Sequence, residues 1–419
     1  MTITVYPPYG ASSNNPVYVQ FPPSATDAFA RLRVSEPYTL FDSQNRYASD
    51  AQFSTATTGT GSTTYLPNEA SVRMDVTGAG VGSVARQSFR SMPYQPGKGL
   101  LVLATFVMSS STSTNLTQRV GYFNTDNGVF FQKNGTTLSF VLRSYISGSA
   151  SDARKVDQTD WNGDKLDGTG PSGITLDASK AQILWMDFEW LGVGSVRCGF
   201  VINGEFIVCH TFENANQIAT VYMTTAVLPV RYEITSVTSA VAASMRQICS
   251  TVISEGGYEQ ASIDHVARRT TIFSNIDTAA AFYPIVSIRL ASTALGAVVL
   301  PNRIQFQPTT LQNYELALIK NPTLTGASWV AMPSDANVEY DVTATAISAA
   351  GTICQTGYIA STGGGGQSST LSPTGYNWDL QLGASLANVS DIFTLGVRTI
   401  SGATKGDGVG CISFYDLTY

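Results

Sequence analysis

The sequence predicts an all-β protein: a jelly-roll-like β-sandwich followed by a second, smaller β-sandwich, with an extended N-terminal arm before both. Three observations predict it. The stretch QILWMDFEWLGVGSVRCGFVINGEFIVCHTFEN (182–214) alternates with period 2 through Leu184, Met186, Phe188 and Trp190, turns at Gly192 and Gly194, and resumes as two runs flanking Asn203-Gly204. Asn-Gly between alternating runs signals a hairpin, because a type I′ turn needs positive φ at both central residues. A second pair, Asn134-Gly135, joins Gly128–Lys133 to Thr136–Arg143, a register that sets Phe131 opposite Leu138 and Val129 opposite Phe140. Short strand-like runs separated by turn residues fill most of the remaining chain, the pattern of a sandwich.

Residues 1–48 read as the arm. Six prolines, Pro7, Pro8, Pro16, Pro22, Pro23 and Pro37, forbid a continuous helix or central strand. Between them lie Val17, Tyr18, Val19, Phe21, Phe29, Leu32, Val34, Tyr38, Leu40 and Phe41, too many apolar side chains for a solvated tail. The segment therefore docks, on its own domain as an N-terminal strand or on a neighbouring subunit. Residues 49–272 form the first sandwich: Ala70–Val76 alternates, Leu100–Met108 is a buried strand, Ser147–Gly173 is a long loop, and Val221–Leu228 and Val230–Ile234 extend the sheet. Ala240–Glu255 is a short helix or a strand pair. Residues 273–419 form the second, with strands over Phe282–Leu290, Gly296–Phe306, Tyr314–Lys320, Trp378–Leu382 and Val409–Tyr419, and a Gly-rich loop at Thr362–Thr370.

Composition bounds the function. A length of 419 residues exceeds one core, so two domains are expected. Charged residues make up 13%, about half the usual share, while 43% apolar residues supply enough to bury. A net charge of −6 without a basic cluster argues against nucleic-acid binding. The N-terminus lacks the basic and apolar regions of a signal peptide, and Leu100–Met108 is too short to span a bilayer, so no membrane insertion is expected. Five widely spaced cysteines without a CxxC are neither a disulfide framework nor a zinc site. Counting out from Asn203-Gly204, Cys198 and Cys209 fall opposite each other at a hydrogen-bonded position, where Cα atoms lie about 5.5 Å apart. That spacing favours two reduced thiols on a core face and folding in a reducing cytoplasm.

No catalytic constellation emerges, and no enzyme activity or cofactor is expected. Asp187 and Glu189 share a strand face about 6.6 Å apart, near the separation of retaining glycosidase carboxylates. Trp185, however, stands where the nucleophile of a jelly-roll glucanase would be. Asp160-Trp161-Asn162-Gly163-Asp164 opens like a calcium loop, with Asp167 close by, but Lys165 and Pro171 occupy its required Gly and acid positions. A polar turn is the default there, with an irregular calcium site as the alternative. His210 and His265 are the only histidines and have no sequence neighbour of their kind. Trp161, Tyr258 and Trp378, on loops, are candidates to stack on sugar rings, with core capping as the alternative.

Several long runs carry a resemblance. DAFARLRVSEPYTLFDSQNRY (27–47), LPNEASVRMDV (66–76), RQSFRSMPYQPGKGLLVLATF (86–106), TQRVGYFNTDNGVFF (117–131) and AQILWMDFEWLGVGSVRCGFVI (181–202) resemble segments of virion structural proteins of tailed phages, especially those infecting aquatic bacteria. The likeness runs over nearly the whole chain. It implies a virion component made in the host cytoplasm, a projecting fibre or spike that forms a homotrimer and contacts capsid, neck or tail proteins. A capsid decoration or head fibre, and a carbohydrate-binding or depolymerase tail module touching a host glycan, are the alternatives. Phe29, Arg31, Leu32, Arg33, Val34 and Phe41 are the implied anchoring residues; Arg31 and Arg33, two apart, share a face in an extended arm.

Overall fold

The computed structural model describes residues 36–238, 241–259, 262–277, 282–332, 336–360, 369–371, 378–401 and 405–418. The first sandwich contains β1 (Tyr38–Gln44), β2 (Phe53–Gly59), β3 (Ser62–Leu66), β4 (Ser71–Val76), β5 (Gly82–Ser88), β6 (Leu100–Val107), β7 (Leu116–Phe123) and β8 (Gly128–Asn134). It continues with β9 (Thr137–Ser144), β10 (Ser151–Asp157), β11 (Gln182–Phe188), β12 (Val196–Ile202), β13 (Glu205–Phe212), β14 (Val230–Ser236) and β15 (Ala243–Ser254). One antiparallel sheet runs β13-β12-β11-β6-β15-β4-β3, with β1 also on β15; the other runs β10-β9-β8-β7-β14-β5-β2.

Alternation explains the packing. In β6, Leu100, Val102, Ala104 and Phe106 are buried while their neighbours are half-exposed. In β14, Val230, Tyr232 and Ile234 do the same from the other sheet. Between the sheets, Phe106 meets Phe131 at 5.8 Å, Phe131 meets Phe200 at 5.1 Å and Tyr122 meets Phe188 at 5.5 Å. The second sheet also buries its outer face locally. Phe123, Phe130 and Val141 form a small separate cluster there, roofed by Arg119 and Arg143 over Phe130 and by Arg231 over Phe123.

The second unit contains β16 (Ile263–Arg268), β17 (Phe273–Ile276), β18 (Tyr283–Leu290), β19 (Val299–Pro308), β20 (Asn313–Lys320), β21 (Thr323–Thr325) and β22 (Val330–Ala331). Then come β23 (Val338–Asp341), β24 (Ala346–Ala349), β25 (Thr352–Ala360), β26 (Ser369–Leu371), β27 (Ile392–Ser401) and β28 (Gly406–Asp416). Its sheets run β16-β28-β19-β26, with β17 also on β28, and β22-β23-β18-β27-β20-β25; β21 and β24 form a small ladder.

Several expectations are corrected. Asn203 and Gly204 do turn the first hairpin, with φ of 55° and 85°, but a β-bulge shifts the register beyond it. Cys198 pairs with His210 and Gly199 with Val208, leaving Cys209 as the extra residue. The bulge lies beside a close approach: a Cβ on Gly199 would sit 1.8 Å from the Ile207 carbonyl oxygen and 2.9 Å from the Trp185 Nε1. All five thiols are free, and Cys198 and Cys209 are buried. In the second hairpin the turn residues are Gly135 and Thr136, because Asn134 pairs with Thr137. The positive φ therefore falls on the first central residue, Gly135 at 59°, where a type II′ turn wants glycine. Phe131 consequently faces Phe140, and Val129 faces Leu142, on the same sides as expected but two positions along.

Boundaries move as well. Tyr38–Gln44 is a strand of the first sandwich, not arm, because it hydrogen-bonds to β15. Strand β16, expected in the first sandwich ahead of residue 273, pairs with β28 beside β17. Ala243–Ser254 is one strand of 12 residues. Part of Ser147–Gly173 is strand β10, paired to β9, and Trp378–Leu380 is a 3-10 turn.

Candidate functional site

Strands β10 and β13 each form one edge of a first-sandwich sheet, and the loop after β10 crosses between them. Gly163 N–H donates to the Cys209 carbonyl at 2.8 Å and Asp164 N–H to the Val208 carbonyl at 2.9 Å. The Asn162 side chain then takes both backbone groups of Thr211, accepting its N–H at 2.8 Å and donating to its carbonyl at 2.9 Å. A bulged edge needs such a partner, since the extra residue interrupts the regular ladder. Beside this seam lies an open groove of about 480 Å³, lined by Arg154, Lys155, Asn162, His210, Thr211 and Gln217 with Phe212 and Ile218.

Arg154 and His210 define its chemistry. The Arg154 guanidinium lies over the Phe212 ring at 5.5 Å and donates to Asn214 Oδ1 and to the Glu213 carbonyl. Burial, with no carboxylate in contact among the described residues, holds its pKa below the usual arginine value. Burial first, and then the Arg154 charge, depress His210 to about 4, so its imidazole is neutral near pH 7. Nδ1 of that ring accepts the Asn162 N–H at 3.3 Å, which leaves the proton on Nε2. Lys155, at the exposed rim, is paired with Asp157 at 3.0 Å.

The structure separates the residues singled out from sequence. Trp161 belongs to this loop but points inward: it is 2% exposed, stacks on Phe140 at 4.7 Å and donates to the Val156 carbonyl at 3.2 Å. Trp378 is 9% exposed at the junction of the two units, where its Nε1 donates to the Tyr38 hydroxyl at 2.9 Å and its carbonyl accepts from Arg90 at 2.5 Å. Neither indole offers an open face to a sugar, and the glycan-stacking expectation for both is corrected. Phe41, expected to anchor a partner, is 1% exposed against Phe53 and beneath Arg90; it is core, because β1 is part of the sheet. Phe29, Arg31, Leu32, Arg33 and Val34, like most of the Thr362–Thr370 loop, lie outside the described residues.

The carboxylates are engaged locally. Asp187 accepts two hydrogen bonds from Arg197, directly opposite it on β12, and Glu189 falls beyond the end of the strand. Asp164 caps its own loop, accepting from Leu166 N–H at 2.9 Å and Ser172 N–H at 2.7 Å. Asp167 accepts from Thr169 in the same way. Among the described residues no three His, Cys, Asp or Glu side chains gather to hold a metal. Arg154 and His210 were not identified together from sequence, because the signal that joins them is the closing of two sheet edges.

A second cleft, about 520 Å³, lies where β1 and β4 both meet β15. It is lined by Gln44, Asn45, Arg46, Leu103, Cys249 and Thr251 among others. Asn45 Nδ2 donates to the Ile248 carbonyl there at 2.9 Å, spanning the gap between the two shorter strands.

No protein-family model matches this chain, and none of the curated proteins does. Among solved structures it is similar to the carbohydrate recognition domain of Emp47p, at 10% identity and a TM-score of 0.32 over 56% of this chain and 99% of that one. It is also similar to the CBM2 module of the evolved Dit of Lactobacillus casei BL23 phage J-1, at 5% identity and a TM-score of 0.34 over 54% and 100%. A third is a carbohydrate esterase of the Shiga toxin-encoding bacteriophage phi24B, at 10% identity and a TM-score of 0.29 over 52% and 100%. Among the described residues no helix is long and apolar enough to cross a membrane.

Proposed function

We propose that this chain is a structural protein of a tailed-phage virion, a projecting fibre or spike subunit whose first sandwich touches saccharide at the host surface. The observation that carries the contact is the groove between β10 and β13. Its volume of about 480 Å³ is in the range of small-ligand sites, and its polar groups sit on two sheet edges tied together by the 162–164 seam. Rigid elements position a ligand better than free loops do. The virion assignment follows the resemblance of the sequence runs.

The reading is non-catalytic. Asp187, the better placed acid of the pair considered from sequence, has both carboxylate oxygens engaged by the Arg197 guanidinium. A capsid-bound decoration or head fibre differs only in location, which immunogold labelling of virions decides. Binding of the purified protein to host cells and their extracted polysaccharide tests the saccharide contact; no binding to either overturns it. Anchoring and trimer formation are tested by light scattering on the full chain and on a chain lacking residues 1–35. That truncation stops short of β1, whose removal would open the first sandwich. Virion incorporation of Arg31→Ala/Arg33→Ala tests the arm directly.

A further inference from the structure

We infer that the groove between β10 and β13 selects an acidic saccharide, with Arg154 receiving the sugar carboxylate and His210 donating from Nε2 to a neighbouring oxygen. This rests on the proposed saccharide contact and names its chemical class. Arg154 is half-buried, yet its contacts are an amide oxygen, a main-chain carbonyl and a ring face. Two of the five N–H donors of the guanidinium are used, so three have no bond among the described residues. A planar fork with unspent donors is the group that recognises carboxylates in two-point fashion. Glu213 contributes its carbonyl to Arg154, and its exposed side chain stands at the rim of the groove.

The surroundings favour a discrete polar ligand over a peptide strand. A peptide adding to a sheet edge needs free backbone groups, and Asn162, Gly163 and Asp164 already occupy those of β13 from Val208 to Thr211. What the groove presents instead are side-chain donors and acceptors of His210, Thr211 and Gln217 beside the apolar flank of Ile218. Sugar hydroxyls and ring carbons match that mixture.

Calorimetric titration of the full-length protein with trigalacturonate, maltotriose and a hexaglutamate peptide tests the inference. Trigalacturonate is expected to bind about tenfold or more tightly than maltotriose, a difference of about 1.4 kcal/mol or more, with affinity falling as salt rises. Arg154→Gln should remove that preference. Lys155→Gln, at an exposed position that leaves folding intact, should weaken trigalacturonate alone by about two- to threefold. Equal binding of the two trisaccharides, or trigalacturonate binding unchanged in both variants, overturns the acidic assignment. Hexaglutamate binding as tightly as trigalacturonate overturns the saccharide class. If neither trisaccharide binds while the protein still binds host cells, this inference fails and the broader function stands.

Discussion

Asn162 hydrogen-bonds to Thr211 as a neighbouring strand would, taking its N–H at 2.8 Å and its carbonyl at 2.9 Å through one side-chain amide. That amide closes the seam between the two sheets of the first sandwich and forms one wall of the groove. Asn162→Ala should cost about 1–3 kcal/mol, the usual range for stranding two backbone partners. Asn162→Asp keeps the acceptor and should cost less. Urea denaturation of the two variants measures the order; equal losses would show that the side-chain acceptor contributes nothing.

Trp378 ties the two units together. Its ring meets Tyr258 at 5.1 Å and its Nε1 reaches Tyr38, while Val298 and Leu300 of the second unit join the core of the first. Trp378→Ala is expected to cost about 3 kcal/mol and to split thermal unfolding into two transitions. A single transition at unchanged midpoint in calorimetry would contradict that role.

Phe130 lies on the outer face of its sheet and is nonetheless fully buried, beneath Arg143 at 5.0 Å and Arg119 at 5.6 Å. Phe130→Ala should therefore destabilise like a core substitution, by about 3 kcal/mol. Chemical denaturation should place it beside Phe131→Ala, not beside surface changes, which are usually within about 0.5 kcal/mol.

Burial raises the Cys198 thiol well above its ordinary value and pushes Cys209 up to about 12. At pH 8 only about one Cys209 in ten thousand is then the reactive thiolate. Iodoacetamide on the native protein should label the partly exposed Cys249, Cys354 and Cys411 first, as read by peptide mass spectrometry. Early labelling of Cys198 or Cys209 would show that the sandwich opens readily.

His210 binds a proton more weakly folded, at about 4, than unfolded, at about 6.5. The unfolded chain thus holds more protons between those values, and stability rises with pH across that window. The contribution is fully present above about pH 6.5 and is lost as pH falls toward 4, amounting to about 2–3 kcal/mol. Denaturation at pH 7.5 and 4.5 should show a larger difference for the wild type than for His210→Gln. Equal differences would remove His210 from the pH response.

Local pattern carried much of the fold. Alternation in Leu100–Val107 and in Val230–Ser236 specified which side chains turn inward, and Asn203-Gly204 specified its own turn. Registers were harder. One residue's displacement of the turn at Gly135, and one extra residue at Cys209, change every partner beyond them. Each lies beside close packing, the Phe131–Phe140 contact at 5.6 Å and the Trp185 indole next to Gly199.

The sequence by itself determined that the described residues are nearly all β and that the loop around Asn162 is polar and turned, because period, glycine and turn chemistry act over a few residues. Only the tertiary structure decided that Trp161 and Trp378 face inward, that Tyr38–Gln44 completes a sheet, and that Arg154 and His210 share a groove. Whether an aromatic is core or surface depends on what packs over it, and two sheet edges become neighbours only when the sandwich closes. Those are long-range facts, and no local pattern encodes them.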